Sequence, residues 1–409
     1  MKDSGIEWIG DIPEDWVLKK VRYFLKETSE KNYPNEKVLS LYRDYGVIPK
    51  ESRDDNHNVT STNTSNYKLV EKGDLVINKM KAWQGSMGVS QYQGIISPAY
   101  FIFKVTDENL DLDYLHFALR NPAYIQEYKR ISVGLRVGQW DLNKQKFKNL
   151  LYPFPTVRKQ NQIVNTLNKE IKKIELIIKE SNQSIIELKK YKQSLITEAV
   201  TKGLNPYVEM KDSGTDWIGN IPNHWNVKKM KFVTSINDTK RDFIKGDIYI
   251  GLENVLGFEG KVDNYGKLAG NSKERYFERG NILYSKLRPY LAKAFIADTT
   301  GSCSGEFIVF DYFKGNKRYL LYWLISQLFT DFINATSYGA KMPRSSWDYI
   351  KETNIPRPPL SEENEIVSYL DNNVSQINKV IQDKTKVIEE LETYKKSLIY
   401  EYVTGKKDV

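Results

Sequence analysis

The sequence predicts two copies of a mixed α/β (α+β) globular part, separated by two long helices that pair as an antiparallel coiled coil with pseudo-two-fold symmetry. Three observations carry this. Residues 1–13 read MKDSGIEWIGDIP and residues 210–222 read MKDSGTDWIGNIP. The far ends of the halves also agree, YKQSLI at 191–196 against YKKSLI at 394–399. Each half closes on a long run without proline or glycine in which apolar residues recur at 3-4 spacing.

The repeat divides 409 residues, too many for one ordinary core, into four segments. Residues 1–156 form a first globular part and 157–202 a first long helix. Residues 203–359 hold a linker and a second globular part, and 360–409 a second long helix and tail. Both globular parts keep one order of elements. The WIG-x-IP-x-x-W entry is closed by Trp16 and Trp225, and a variable stretch follows at 28–70 and 234–277. A strand-loop-strand unit begins at Gly73 and Gly280, and a further strand at Ala99 and Glu306, on alternating apolar residues. An amphipathic helix is predicted from about Asp113 and from Arg318. Pro-punctuated exits, YPFP at Tyr152 and IPRPP at Ile355, lead into the long helices without breaking them.

The seam of the first long helix reads Val164, Leu167, Ile171, Ile174, Ile178, Ser181, Ile185, Leu188, Lys192, Leu195 and Ala199. That of the second reads Val367, Leu370, Val374, Ile377, Ile381, Lys384, Ile388, Leu391, Lys395, Leu398 and Tyr402. A helix of ~40 residues spans ~60 Å. Packing of each helix on its own globular part is one solution. Mutual pairing explains more, because the stripes match in length and the charges oppose. Residues 157–202 carry 10 Lys/Arg against 5 Asp/Glu, and 360–409 carry 7 against 10. A linker of about nine residues reaches at most ~32 Å, too short to return along the rod, so the pairing is antiparallel.

Composition narrows the function. Hydrophobic residues make up 40% and charged residues 28%, a soluble globular balance. No stretch approaches the ~20 apolar residues of a membrane span, and the N-terminus does not read as a signal peptide. One cysteine, Cys303, allows no internal disulfide and fits a cytoplasmic location. His57, His116 and His224 lie far apart, so no metal site is expected. The net charge of +9 favours a polyanion partner. An object of two similar halves suits a ligand with two-fold geometry, and duplex DNA is the natural candidate.

At this point the chain resembles a known family, the specificity (S) subunits of Type I restriction-modification systems. The resemblance rests on the WIG-x-IP-x-x-W entry, the GDI-like strand before a basic loop, and the exit into the long helix. The family's exit reads apolar-Pro-x-Pro-Pro, an acidic turn, then Glu-Gln-x-x-Ile. Here IPRPPLSEENEIV has Glu363 for the usual glutamine, and YPFPTVRKQNQIV keeps Gln160 but has Lys159 for the usual acid. The resemblance implies two target recognition domains that each read half of a split double-stranded DNA sequence. It implies paired helices that set the spacing and dock two methyltransferase subunits, an assembly that restriction subunits can join. The chain itself performs no chemistry and needs no cofactor; S-adenosylmethionine belongs to the methyltransferase partners.

Base reading needs bidentate donors, and phosphate clamping needs cations and hydroxyls. The first candidate loop holds Lys79, Lys81, Trp83, Gln84 and Ser86, matched by Lys286, Arg288, Tyr290 and Lys293. A solvated hairpin accounts for it equally. After the Ser-x-Gly turns come Arg136, Gln139, Trp140, Lys144 and Lys146, and Lys341, Arg344, Ser345, Ser346 and Trp347. The two tryptophans read better as core. The variable stretches offer Arg43, Lys50, Arg53 and Asn56, and Lys240, Arg241, Lys245 and Asn254. The first long helix presents Lys169, Lys172, Lys173, Lys189 and Lys190, where solvation is as good a reading. An enzyme reading rests on Asn121-Pro122-Ala123-Tyr124, similar to the Asn-Pro-Pro-Tyr signature of adenine methyltransferases. It lacks one proline, sits in a helical pattern and has no glycine-rich cofactor loop before it. The alternative to DNA recognition is a coiled-coil scaffold that presents two protein-binding modules.

Overall fold

The computed structural model describes every residue except 44, 45, 53–62, 137, 138, 271 and 340, and every described side chain except those of Leu135, Arg136, Gln139 and Ser272. The chain divides into two compact units, Met1–Ser181 with Lys386–Val409, and Asn182–Thr385.

In the first unit the entry forms a hairpin, Lys2–Asp3 against Asp11–Ile12, that buries Ile9, Ile12 and Trp16. The strand Val17–Lys20 then pairs with the exit strand Leu151–Phe154, so the two ends of the globular part lie side by side. Between them an antiparallel sheet runs in the order Leu25–Thr28, Tyr100–Val105, Leu75–Asn78, Met87–Val89. Strand alternation sends Leu75, Ile77 and Phe103 into the main core with the helices. It sends Val76 and Ile102 to the opposite face, where Leu39, Val47, Val70 and Ile96 of the variable stretch cover them.

The second unit repeats this plan. Its entry hairpin is Met210–Asp212 against Asn220–Pro222, and Asn226–Lys229 pairs with the exit strand Asn354–Arg357. The sheet order is Thr234–Ile236, Phe307–Phe313, Ile282–Ser285, Ala294–Ile296. Ile282 and Tyr284 face the helices, while Leu283 and Val309 face a separate core. That second core is roofed by a five-stranded sheet that sequence reading did not anticipate. Its order is Lys240–Phe243, Ser272–Phe277, Gly301–Cys303, Ile248–Ile250, Gly266–Lys267, with one parallel pair.

One expectation is corrected. The single amphipathic helix from about Asp113 and from Arg318 is two short helices in each unit. They span Leu112–Leu119 and Pro122–Ile131 in the first unit, and Lys317–Ile325 and Gln327–Ala335 in the second. The break is a capping event. Asn121 accepts from the Ala123 N–H with Pro122 at the first helical position, and Ser326 accepts from the Phe329 N–H. Asn121-Pro122-Ala123-Tyr124 is thus a helix start, with Asn121 fully buried.

The long helices span Val157–Lys202 and Leu360–Val403, where the 3-4 repeat predicts them. Each unit holds the start of one and the end of the other. In the first unit Lys159 meets Asp408 and Glu175 meets Lys395, so one helix ascends as the other descends. In the second unit Lys192 meets Asn378, and Gly203 lies beside Glu362. The helices are antiparallel in both. Val164, Leu167, Ile171 and Ile174 are buried in the first unit, as is Leu398, while Ile178, Ile388 and Leu391 are half-buried. In the second unit Val367, Leu370 and Ile377 are buried, while Ile185, Leu188, Leu195, Val374 and Ile381 are half-buried.

The repeated entry motif has a structural task. Both long helices end on a left-handed glycine, Gly405 (φ 71°) and Gly203 (φ 75°). Gly405 lies against Pro13 and Trp16, and Gly203 against Pro222 and Trp225. Buried tyrosines complete the socket. The Tyr114 hydroxyl reaches the carbonyls of Pro153 and Val403, and Tyr319 reaches those of Pro356 and Val200. Each globular part therefore grips the far end of the helix that belongs to the other half of the sequence.

Candidate nucleic-acid interface

In the first unit the loop between Leu75–Asn78 and Met87–Val89 turns through a short 3-10 helix, Ala82–Gln84, closed by left-handed Gly85. The Trp83 indole N–H donates to the Met80 carbonyl, and its ring lies 5.0 Å from that of Trp140. The Leu142 N–H donates to the Lys79 carbonyl, and Lys79 Nζ lies 3.4 Å from Asp141. The hairpin Ser132–Arg136 with Gln139–Leu142 thus docks on the loop, and two candidate segments far apart in sequence form one surface.

A cation cluster adjoins it. Glu27 receives Lys144 at 2.8 Å and Lys148 at 3.0 Å. Burial works against the Glu27 carboxylate, but the two lysines outweigh it and hold its pKa below the usual range. Lys68, which donates to the Tyr100 carbonyl, has its own pKa lowered by burial, opposed by Glu27 and assisted by Lys144, Lys31 and Lys79.

The second unit reaches a similar arrangement by other residues. Arg288 (φ 50°) opens the 3-10 turn Pro289–Leu291, and its N–H donates to the Pro343 carbonyl at 2.7 Å. The Ser345 N–H donates to the Lys286 carbonyl at 2.9 Å. The two candidate segments again share one surface. Arg344 pairs with Glu306 at 2.8 Å and Arg275 with Asp238 at 2.5 Å. Burial lowers the Lys286 pKa, helped by Arg275 and Arg344 and opposed by Glu306 and Asp238. Lys240 lies directly across from Arg275 in the sheet, which extends the cluster.

Lys81, Gln84 and Lys146 in the first unit, and Arg288, Tyr290 and Lys341 in the second, are exposed and form no ion pair or side-chain hydrogen bond among the described residues. Lys79, Lys144, Lys286 and Arg344 share their charge with the carboxylates beside them. Lys293 is spent on the Leu252 carbonyl. Three candidates lie away from solvent. Ser86 is buried where its own loop closes on the Lys81 carbonyl, Ser345 is buried where its N–H joins the second pair of segments, and Asn254 is buried with its amide oxygen accepting from the Gly251 N–H and its amide nitrogen donating to Asn264. Ser346 caps a short helix through the Tyr349 N–H. Trp140 is half-buried, and Trp347 packs edge-on against Phe310.

Arg136 and Gln139 pair through their backbones, and their side chains lie outside the described ones. Arg53 and Asn56 lie outside the described residues. Arg43, Lys50 and Lys245 all have partners. Arg241 stacks 3.4 Å over the Tyr276 ring. Lys169, Lys172, Lys173, Lys189 and Lys190 are exposed, with Lys173 bonded to Glu170. Sequence reading missed Lys68, Lys148 and Arg275 and the acids Glu27, Asp238 and Glu306. Among the described residues no group of acids, histidines and cysteines could hold a metal ion, and no helix is long and apolar enough to cross a membrane.

The repeated units match a family description, "Type I restriction modification DNA specificity domain", at residues 13–187 and again at 207–390. The chain belongs to this family. It is a specificity subunit with two DNA recognition domains. It is 24% identical over 421 residues to the Type I restriction enzyme MjaVIII specificity subunit of Methanocaldococcus jannaschii, covering 97% of this chain and 93% of that one. It is 23% identical over 328 residues to the EcoDI specificity subunit of Escherichia coli, covering 73% and 72%. In fold it is similar to a chain from a study of complex assembly and conformational transition of the type I R-M system, with TM-score 0.72 at 13% identity over 96% and 98% of the two chains. It is also similar to the HsdS subunit from Thermoanaerobacter tengcongensis, with TM-score 0.54 at 14% identity over 100% of both. In this specificity subunit the scaffold face of each sheet is common to both units, and the face roofed by the variable stretch is not.

Proposed function

We propose that the chain reads a bipartite, asymmetric DNA target, one half-site per recognition domain, with the paired helices setting the separation. It performs no chemistry itself. Two methyltransferase subunits dock on it and bring S-adenosylmethionine, which supplies the methyl group; restriction subunits are further partners, and the complex works in the cytoplasm. The observation that carries this reading is that two unlike cation clusters stand on one repeated scaffold. Like scaffolds suit like partners, and unlike clusters suit unlike half-sites. The charges around Glu27 and Glu306 suit phosphate contact, and the free ends of Lys81, Gln84, Lys146, Arg288 and Lys341 suit base edges or phosphates.

The test is binding to duplexes that carry one split sequence, against random duplex, across a salt series. Preference for the split sequence with a steep salt dependence supports the reading. Equal, weak binding to both favours the scaffold alternative.

A further inference from the structure

The second unit buries a charge in a helix seam. Lys192 of the first long helix is 2% exposed, and it is the one lysine or arginine buried so deeply among the described residues. Its ammonium donates to Glu259 Oε1 at 2.7 Å and to Asn378 Oδ1 at 2.9 Å, while Asn378 Nδ2 donates to Glu259 Oε2 at 3.2 Å. The three side chains close a triangle. Two corners are helix residues. The third, Glu259, comes from the variable stretch of the globular part.

The first unit has the same two helix positions without the third corner. Lys395 and Glu175 are related to Lys192 and Asn378 by the offset of 203 that relates Leu188 to Leu391. There the carboxylate sits on the helix itself. Lys395 is 32% exposed, and Glu175 is its one partner among the described residues. The helix pair thus satisfies the lysine internally in one unit and through the recognition domain in the other.

The backbone around Glu259 is tightly held. Phe258 has φ 61°, a conformation that a bulky residue rarely adopts, and its N–H donates to the Ala292 carbonyl at 3.1 Å. A Cβ on Gly257 would lie 2.4 Å from the Leu291 carbonyl oxygen. Leu291 and Ala292 close the 3-10 turn that Arg288 opens. Lys192 on the helix is therefore linked, through Glu259 and the Phe258 backbone, to the turn that presents Arg288 and Tyr290. Apolar packing is not directional and tolerates a small slide. The triangle does not. A slide or tilt of the domain on the helices would leave the Lys192 ammonium buried and unpaired, which is strongly unfavourable.

We propose that Glu259 and Lys192 are positioning residues that hold the second recognition domain at one angle on the helices and so confine the target to one half-site spacing. The inference rests on the split-target reading above. The test measures binding of the full-length chain to duplexes carrying its split sequence, taken from methylation mapping. The spacer is native, or one base pair longer or shorter, a change of ~3.4 Å and about 35° between half-sites. Wild type binds the altered spacers at least tenfold more weakly. Glu259→Ala with Asn378→Glu copies the first unit: Lys192 keeps a carboxylate, the domain is released, and the penalty falls below threefold. Lys192→Met cuts the link from the helix side and relaxes the penalty likewise. Glu175→Ala, at the matching place in the first unit, keeps the wild-type penalty. The wild-type penalty in either link variant that folds overturns the proposal. So does a uniform loss of affinity at every spacer, or unfolding of both variants, which would make the contact structural alone. A wild type indifferent to the spacer, or to the split sequence itself, instead overturns the split-target reading beneath it.

Discussion

Arg357 donates through Nε to the buried Glu363 carboxylate at 3.0 Å, and this pair replaces a single residue of the other unit. There Gln160 accepts from the Asp111 N–H at 2.8 Å and donates to the Asn109 carbonyl at 3.1 Å. Glu363 still accepts from the matching Asn316 N–H at 2.8 Å, but a carboxylate has no N–H to give. Arg357 supplies it, donating through Nη2 to the Lys314 carbonyl, which stands where Asn109 stands in the first unit. The departure from the family's glutamine is thus compensated in place.

Removing one partner should expose that compensation. Arg357→Ala leaves a buried carboxylate unpaired and costs about 3–5 kcal/mol. Arg357→Phe with Glu363→Gln copies the Phe154 and Gln160 of the first unit and should restore most of it. Urea unfolding of the three variants measures this; a double variant as unstable as the single would refute the exchange.

The helix sockets differ in tightness. A Cβ on Gly405 would lie 2.3 Å from Pro13 Cδ, a ring that cannot give way. On Gly203 the nearest atom is Glu362 Oε1 at 3.0 Å, the end of a flexible side chain. Both also carry left-handed strain of about 1 kcal/mol for alanine. Gly405→Ala should therefore lower the melting temperature clearly more than Gly203→Ala. Equal losses would count against the socket.

Asp74 carries a pH dependence. Its carboxylate accepts from the Glu71 N–H at 2.8 Å, and burial raises its pKa to about 6 despite that bond and Lys104. The folded pKa lies above the unfolded one, so the folded state holds the proton more tightly. Stability is highest below about pH 4 for this group and falls as pH rises to about 6. Asn281 occupies the matching position without charge, accepting from the Glu278 N–H. Asp74→Asn should stabilise the chain at pH 7 by about 1–2 kcal/mol and have almost no effect at pH 4. A destabilising effect at pH 7 would show that the charge is needed there.

The unpaired cations should behave as nucleic-acid contacts. Arg288→Ala and Lys341→Ala should each weaken DNA binding and, for a phosphate contact, reduce the salt slope by about 1. Lys81→Ala and Lys146→Ala should do the same through the first unit. Binding curves at several salt concentrations decide it, and a slope unchanged in all four variants would place the interface elsewhere.

The long helices were legible because a heptad stripe over many turns has few alternative uses, and the entry and exit motifs because they occur twice. The break at Asn121 and Ser326 was not, since both residues sit inside an unbroken apolar periodicity and only their side-chain caps reveal the turn. The five-stranded sheet around Lys240–Phe243 escaped notice because its strands are short and one of its pairs is parallel and remote. Lys79 and Lys286 were recognisable from basic loops beside strands. Lys68 and Arg275 were not, because nothing local to a strand residue says which distant carboxylate it will face. Asn254 read as a loop contact, yet its amide is consumed in holding the loop.

Methylation mapping in a host with and without this chain tests the central claim most directly, when repeated after residues 1–156 are exchanged for those of another specificity subunit. Two unlike half-sites at fixed spacing, of which the exchange alters one, is the result the account predicts. A single undivided target, or an exchange that alters both half-sites, would contradict it.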